Sequence, residues 1–268
     1  MKIGCCVSLW EDLIFHLPQA GCQYAEGGFS SLADKSMDQV RTRAAQLEKA
    51  GMRLETMNVL FPGDFHLTGP QADFAAVDNY LEENLPKAQA LGVSMVVFGS
   101  GGARRVPEGF PQEEAFAQLT ELCREHIAPA MGAFGITCCV EPLNRQETNI
   151  LATSEEGFRL VEAVNHPNFQ LLVDLYHFDL EGESLSALES YRGRLGHCHI
   201  ASAQNSRLLP QPWDGQDYLP FFQTLAAMGY EGRLSLEGDT RGGLSQIRSS
   251  LEYLQALASQ AAPAACPR

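Results

Sequence analysis

Four residues in the second half of the chain stand at the C-terminal ends of short apolar runs: Glu141 in "CCVEPL", Asp174 in "LLVDL", His199 in "GHCHIA" and Glu237 in "RLSLEGD". Side chains alternate across a strand, so residues two apart share a face. Val140 and Cys138 then share one face and Glu141 and Cys139 the other, while Leu171 and Val173 oppose Leu172 and Asp174. By the same rule Cys198 and Ile200 oppose His197 and His199, and Leu234 and Leu236 oppose Ser235 and Glu237. Each polar residue falls on the same face and at the same end. If the sheet closes on itself, the four side chains converge at one mouth. Three carboxylates about 4 Å apart repel by about 4 kcal/mol per pair at an effective dielectric near 20, and a divalent cation is the natural compensation. Three oxygen ligands with one imidazole suit Mn²⁺, Mg²⁺ or Co²⁺ better than structural Zn²⁺, which favours Cys and His.

Further polar residues flank these ends. His177 follows Asp174 by three and lies beyond the strand, where it could reach over the mouth as a substrate ligand. His197 falls one layer below His199, which gives it a supporting or core role. Arg207, after the seventh strand, would bind a substrate hydroxyl or stand exposed. Arg104 and Arg105 are read as surface residues. His16, His66, His126 and His166 have no strand-end partners and are read as structural or exposed.

The elements that must position these residues are eight strand-like runs alternating with helix-like stretches: "KIGCCVSL", "CQYAEGG", "RLETMNVL", "SMVVFGSG", "TCCVEPL", "QLLVDLY", "LGHCHIA" and "RLSLEGD". That alternation predicts a parallel sheet. Eight units in a chain of 268 residues, joined by connections too short for a second domain, predict one closed (β/α)8 barrel over residues 1–258, with 259–268 as a flexible tail. Barrels of this kind carry their chemistry at the C-terminal mouth. Ser36 with Gln39 and Thr153 with Glu156 read as capping boxes that open helices. Phe74, Val77, Leu81, Leu85, Ala88 and Leu91 draw a helical stripe, kinked at Pro86 and closed by Gly92. Leu244, Ile247, Leu251, Leu254 and Leu257 draw another. "FGSGG" at 98–102 lacks the spacing of a dinucleotide fingerprint and reads as a turn.

Composition narrows the functional class. A formal charge of −14 opposes binding to nucleic acid or to an anionic membrane surface. The N-terminus is too short and wrongly flanked for a signal peptide, and no run of about 18 apolar residues occurs. Eight cysteines without a CxxC read as buried thiols of a reducing cytoplasm.

At "VEPLNRQE", "DLYH", "GHCHIA" and "LSLEG" the chain resembles the xylose-isomerase-like sugar isomerase and epimerase superfamily, and within it the ketose 3-epimerases typified by D-tagatose and D-psicose 3-epimerases. The resemblance implies one divalent ion held by Glu141, Asp174, His199 and Glu237, with the two glutamates facing each other across a small sugar and exchanging its proton. It implies Glu147 and His177 at the carbonyl end of the substrate. Arg207 stands eight residues after His199, where the epimerases usually have six. Removing a proton α to a ketone needs a positioned base and something to hold the enediolate charge. Glu141 and Glu237 working from opposite faces would invert C3. One carboxylate moving the proton between adjacent carbons would instead give aldose–ketose isomerisation, as in hydroxypyruvate isomerase-like members, which tend to carry Gln where this chain has His199. An endonuclease-IV-like phosphodiesterase needs more histidines and a basic face. The resemblance also implies a homo-oligomer, a dimer or tetramer.

Overall fold

Each of the eight expected runs forms a strand. The computed structural model describes residues 1–261. The elements in chain order are β1 (Lys2–Cys6), α1 (Leu17–Ala20), β2 (Ala25–Gly28), α2 (Met37–Lys49), β3 (Leu54–Asn58), α3 (Phe74–Ala90), β4 (Met95–Phe98), α4 (Gln112–Glu121) and α5 (Ala128–Ala133). They continue with β5 (Thr137–Val140), α6 (Ser154–Val164), β6 (Phe169–Asp174), α7 (Leu175–Leu180), β7 (Leu195–Ile200), α8 (Leu219–Ala227), β8 (Arg233–Leu236) and α9 (Gly243–Ala261). All strands are parallel, and β8 pairs with β1, from Lys2 opposite Arg233 to Cys5 opposite Leu236, so the sheet closes into a barrel.

Alternation sorts the core into two layers, as the sequence requires. Cys138, Val140, Leu171, Val173, Cys198, Ile200, Leu234 and Leu236 pack outward into the large cluster beneath the helices. Met95, Val97, Cys139 and Leu172 form a separate cluster inside the barrel. Burying one such aliphatic side chain is worth about 1.5–3 kcal/mol, so a one-residue slip of register would forfeit most of a strand's contribution. Lower in the interior the Tyr24 ring fills the space beside Gly4, where a Cβ would stand 2.6 Å from the ring.

The helix signals hold with two changes. Ser36 and Gln39 form both hydrogen bonds of a capping box. Thr153 caps α6 by accepting from Glu156 N, but the Glu156 carboxylate accepts from Ala152 N instead of closing the box. α3 continues through Pro86, and Gly92, with φ +82°, takes the left-handed position just after it. Ile247, Leu251, Leu254 and Leu257 bury the expected stripe of α9 against α8, α1 and β1. α9 runs to Ala261, beyond the expected barrel end at 258, because Ala258 and Ala261 still pack on the core. The rest of the expected tail, 262–268, lies outside the described residues.

Candidate active site at the barrel mouth

The four strand-end residues meet. One ligating atom from each of Glu141, Asp174, His199 and Glu237 lies within 4.8 Å of the others. Their backbones are held by the barrel's own ladder: Glu141 N–H donates to Phe98 O at 3.1 Å and Glu237 N–H to Ile200 O at 3.1 Å. Asp174 ends β6 and caps α7, with Oδ1 accepting from Tyr176 N at 2.9 Å and Oδ2 left facing the mouth.

Two of the converging atoms lack hydrogen-bond partners. Glu141 Oε1 and His199 Nδ1 are buried and unsatisfied, although Nδ1 stands 3.4 Å from Glu141 Oε1 and 3.2 Å from Glu237 Oε2. An unsatisfied buried polar atom costs about 1–3 kcal/mol, and a cation placed among these atoms would satisfy both. Carboxylate oxygens with one imidazole nitrogen are a donor set for such an ion.

Charge is distributed unevenly over the carboxylates. Burial, then the charge of Glu237, pushes Glu141 above the usual carboxylate range. Burial, again with Glu237, pushes Asp174 up to about 8. Burial alone would raise Glu237 too, but His199 and Arg207 outweigh it and hold Glu237 down at about 2. A carboxyl whose folded pKa is raised gives stability that is complete below its unfolded pKa and is lost as pH rises through the folded value. Glu26 and Glu237 together outweigh the burial of His199 and raise it, which acts in the same sense. His177 and His197 are pushed down by burial and act oppositely, but only below about 6.5. Between about pH 6.5 and 8 the metal-free protein is therefore expected to lose thermal stability, and Mn²⁺ added at pH 8 to restore it. Melting curves across that window with and without Mn²⁺ check this, and a midpoint that rises with pH in the metal-free protein contradicts it.

Behind His199 lies a residue that sequence reasoning missed. Glu26, on β2 and fully buried, accepts from His199 Nε2 at 2.9 Å and from His197 Nε2 at 2.9 Å. Thr56 Oγ1 at 2.8 Å and Ser235 Oγ at 2.6 Å also donate to it. Burial would raise Glu26, but the charges and hydrogen bonds of His199 and His197 hold it well below the usual range. The Nε2–H to Glu26 bond leaves Nδ1 as the atom His199 offers to the mouth, the arrangement by which a carboxylate orients a ligating histidine. His197 thus supports from below, its Nδ1 facing Arg233 O at 3.1 Å. Cys6 Sγ also comes within 4.8 Å of Glu26 and His199. Four donors already occupy Glu26, so that trio offers a cation little. The only sequence sign of Glu26 was an acid inside "CQYAEGG".

His177, Glu147 and Arg207 reach the same mouth. His177 is buried, and Nδ1 accepts from Asn144 N at 3.1 Å and Asn144 Nδ2 at 2.8 Å. Nε2 therefore carries the proton and points inward, 3.5 Å from Asp174 Oδ2, as a donor without an acceptor. Burial, then Arg207, pushes His177 down to about 3, so it is neutral. Arg207 is not exposed at the rim: it has φ +61°, donates to Glu237 Oε2 at 2.6 Å and Asp174 Oδ2 at 3.4 Å, and lies 4.8 Å over the Tyr176 ring. Glu147 is exposed and stands 3.8 Å from Arg207 Nη1. Asn58, at the end of β3, also escaped notice and donates to Glu237 Oε1 at 2.9 Å. Arg104 corrects the surface reading, since it is fully buried. Arg105, His16 and His66 are exposed and His126 and His166 half-buried, as expected.

A family model described as xylose isomerase-like TIM barrel matches residues 16–257. A human protein carrying the provisional name of a hydroxypyruvate isomerase is 29% identical over 224 residues, 77% of this chain and 78% of that protein. A protein of Arthrobacter globiformis named ketose 3-epimerase is 24% identical over 250 residues, 88% of this chain and 83% of its own length. The solved D-psicose 3-epimerase from Clostridium cellulolyticum H10 with D-tagatose superimposes with a TM-score of 0.82 at 20% identity, covering 96% of this chain and 99% of the other, a likeness of fold.

Proposed function

Because the chain belongs to the xylose isomerase-like TIM barrel family, we propose that this enzyme is a ketose 3-epimerase dependent on one divalent ion, Mn²⁺, Mg²⁺ or Co²⁺. The observation that carries the reading is the convergence of Glu141, Asp174, His199 and Glu237 on one point, with unsatisfied atoms on Glu141 and His199. The ketose 3-epimerase relative adds support.

A bound divalent ion would act as a Lewis acid on the substrate's carbonyl and adjacent hydroxyl oxygens. The protein's own groups do the rest. Glu237, with Arg207 Nη2 on one carboxylate oxygen and Asn58 Nδ2 on the other, is suited to take the C3 proton. Glu141, buried at the end of β5 in the same cluster, is suited to return one from the other face. Two carboxyls addressing one carbon divide base and acid between them, and the reverse reaction exchanges the roles. His177 presents Nε2–H to a substrate oxygen, and Glu147 and Arg207 bound the same end of the sugar.

An isomerase moving hydrogen between C1 and C2 is the second reading, favoured by the hydroxypyruvate isomerase relative. Incubation with each ion and a panel of free ketoses, ketose phosphates and hydroxypyruvate in deuterated water separates them. Metal-dependent deuterium uptake at C3 of a ketose with formation of its C3 epimer is the expected result. Uptake at C1 of a ketose, or at C3 of hydroxypyruvate, whose C1 is a carboxylate without hydrogen, selects the isomerase, and no metal-dependent exchange on any substrate sinks both. The seven described cysteines are unpaired, which supports a reducing compartment such as the cytoplasm. No helix among the described residues is long and apolar enough to cross a membrane. A homo-oligomer, dimer or tetramer, is part of the same proposal.

A further inference from the structure

The "FGSGG" turn and the arginines after it are not absorbed by the reaction. Arg104 is fully buried, yet among the described residues no carboxylate hydrogen-bonds its guanidinium. Nη1 donates to Phe98 O at 3.1 Å, Nη2 donates to Glu141 O at 2.8 Å, and Nε has no partner. A buried charge satisfied only by main-chain carbonyls is costly, and packed apolar residues would serve stability as well or better. What the guanidinium fork does reach is informative. One arm holds the last carbonyl of β4 and the other the carbonyl of Glu141, at the point where β5 leaves the sheet.

The turn completes the arrangement. A Cβ on Gly99 would collide with Glu141 Oε2, so the carboxylate lies in a slot that the absence of a side chain at Gly99 creates. The loop is tethered on its far side, where Ser100 Oγ accepts from Phe61 N at 2.9 Å and Thr68 Oγ1 donates to Arg105 O at 2.9 Å. Arg105 Nη2 in turn donates to Glu147 O at 3.3 Å. We propose that Arg104 is a positioning residue for Glu141, locking its main chain while Gly99 seats its carboxylate, so that "FGSGGAR" forms a cradle for one half of the proton-exchange pair.

This rests on the reading that Glu141 binds the ion and carries the proton. Burial pushes the Arg104 guanidinium down to about 10, so it stays charged at neutral pH. Lysine keeps the charge and most of the volume but cannot fork to two carbonyls. Calorimetric Mn²⁺ titration and steady-state kinetics of wild type, Arg104→Lys and Gly99→Ala test the idea, with circular dichroism reporting the fold. Both variants are expected to bind Mn²⁺ about 10–100-fold more weakly and to lose kcat by a similar factor, with KM changed less than about twofold. Folded variants that match the wild type in Mn²⁺ affinity and kcat overturn the role of Arg104 and leave the functional reading intact. A wild type that neither binds Mn²⁺ nor exchanges a substrate proton sinks the functional reading, and this role with it. If Arg104→Lys fails to fold, Arg104→Met, which fills the buried site with an apolar side chain and donates to neither carbonyl, decides by the same measurements, while Gly99→Ala reports on the seat of the carboxylate alone.

Discussion

Replacing Glu237 with Gln is expected to lower turnover by at least about 10²–10⁴-fold, the usual contribution of a positioned general base. Gln is isosteric and leaves β8 and its ladder intact, so circular dichroism should be unchanged. The amide cannot accept the C3 proton, and it presents the ion with a neutral oxygen where a carboxylate stood. It also meets Arg207 Nη2, now 2.6 Å from Oε2, with an oxygen of lower charge or with a second donor. Deuterium uptake at C3, which reads proton removal apart from product formation, should fall in step with turnover. Undiminished exchange would remove Glu237 from the chemistry and leave it as a structural partner of Asn58 and Arg207.

The second large effect concerns Glu26. Glu26→Ala leaves His197, His199, Thr56 and Ser235 without the acceptor they share in a fully buried network. Removing one partner of a buried ionic network costs about 3–5 kcal/mol, because the groups left behind are still desolvated. Urea unfolding of the metal-free variant is expected to show a loss of that size. The same change frees the His199 ring to rotate, so Mn²⁺ affinity should fall about 10–100-fold even where the barrel remains folded. A stability loss below about 1 kcal/mol would mean that water replaces Glu26 without penalty, and the network would then not explain the orientation of His199.

Much of the site was legible because strand alternation is a local rule. Glu141, Asp174, His199 and Glu237 could be placed on one face from a few neighbouring residues each, and closure of the sheet brought them within 4.8 Å. His177 and Arg207 came from their positions just beyond strand ends and Glu147 from the family resemblance, and all three reach the mouth. Arg207 shows the limit: its offset from His199 departs from the family's spacing, while its left-handed backbone at φ +61° lets the side chain turn back onto Glu237 and Asp174.

By itself the sequence determined the eight strands, the side each residue faces and the end at which the polar residues gather, since period-two patterning and turn signals act over a few residues. Only the tertiary structure decided what those residues touch. Glu26 meets His197 and His199 across 171 and 173 positions of chain. Arg104 reads as one of two surface arginines until the barrel folds its guanidinium beneath the Glu141 carbonyl, 37 positions on. Neither contact leaves a local pattern, because each depends on which strands closure makes neighbours and on how much water the closed barrel excludes.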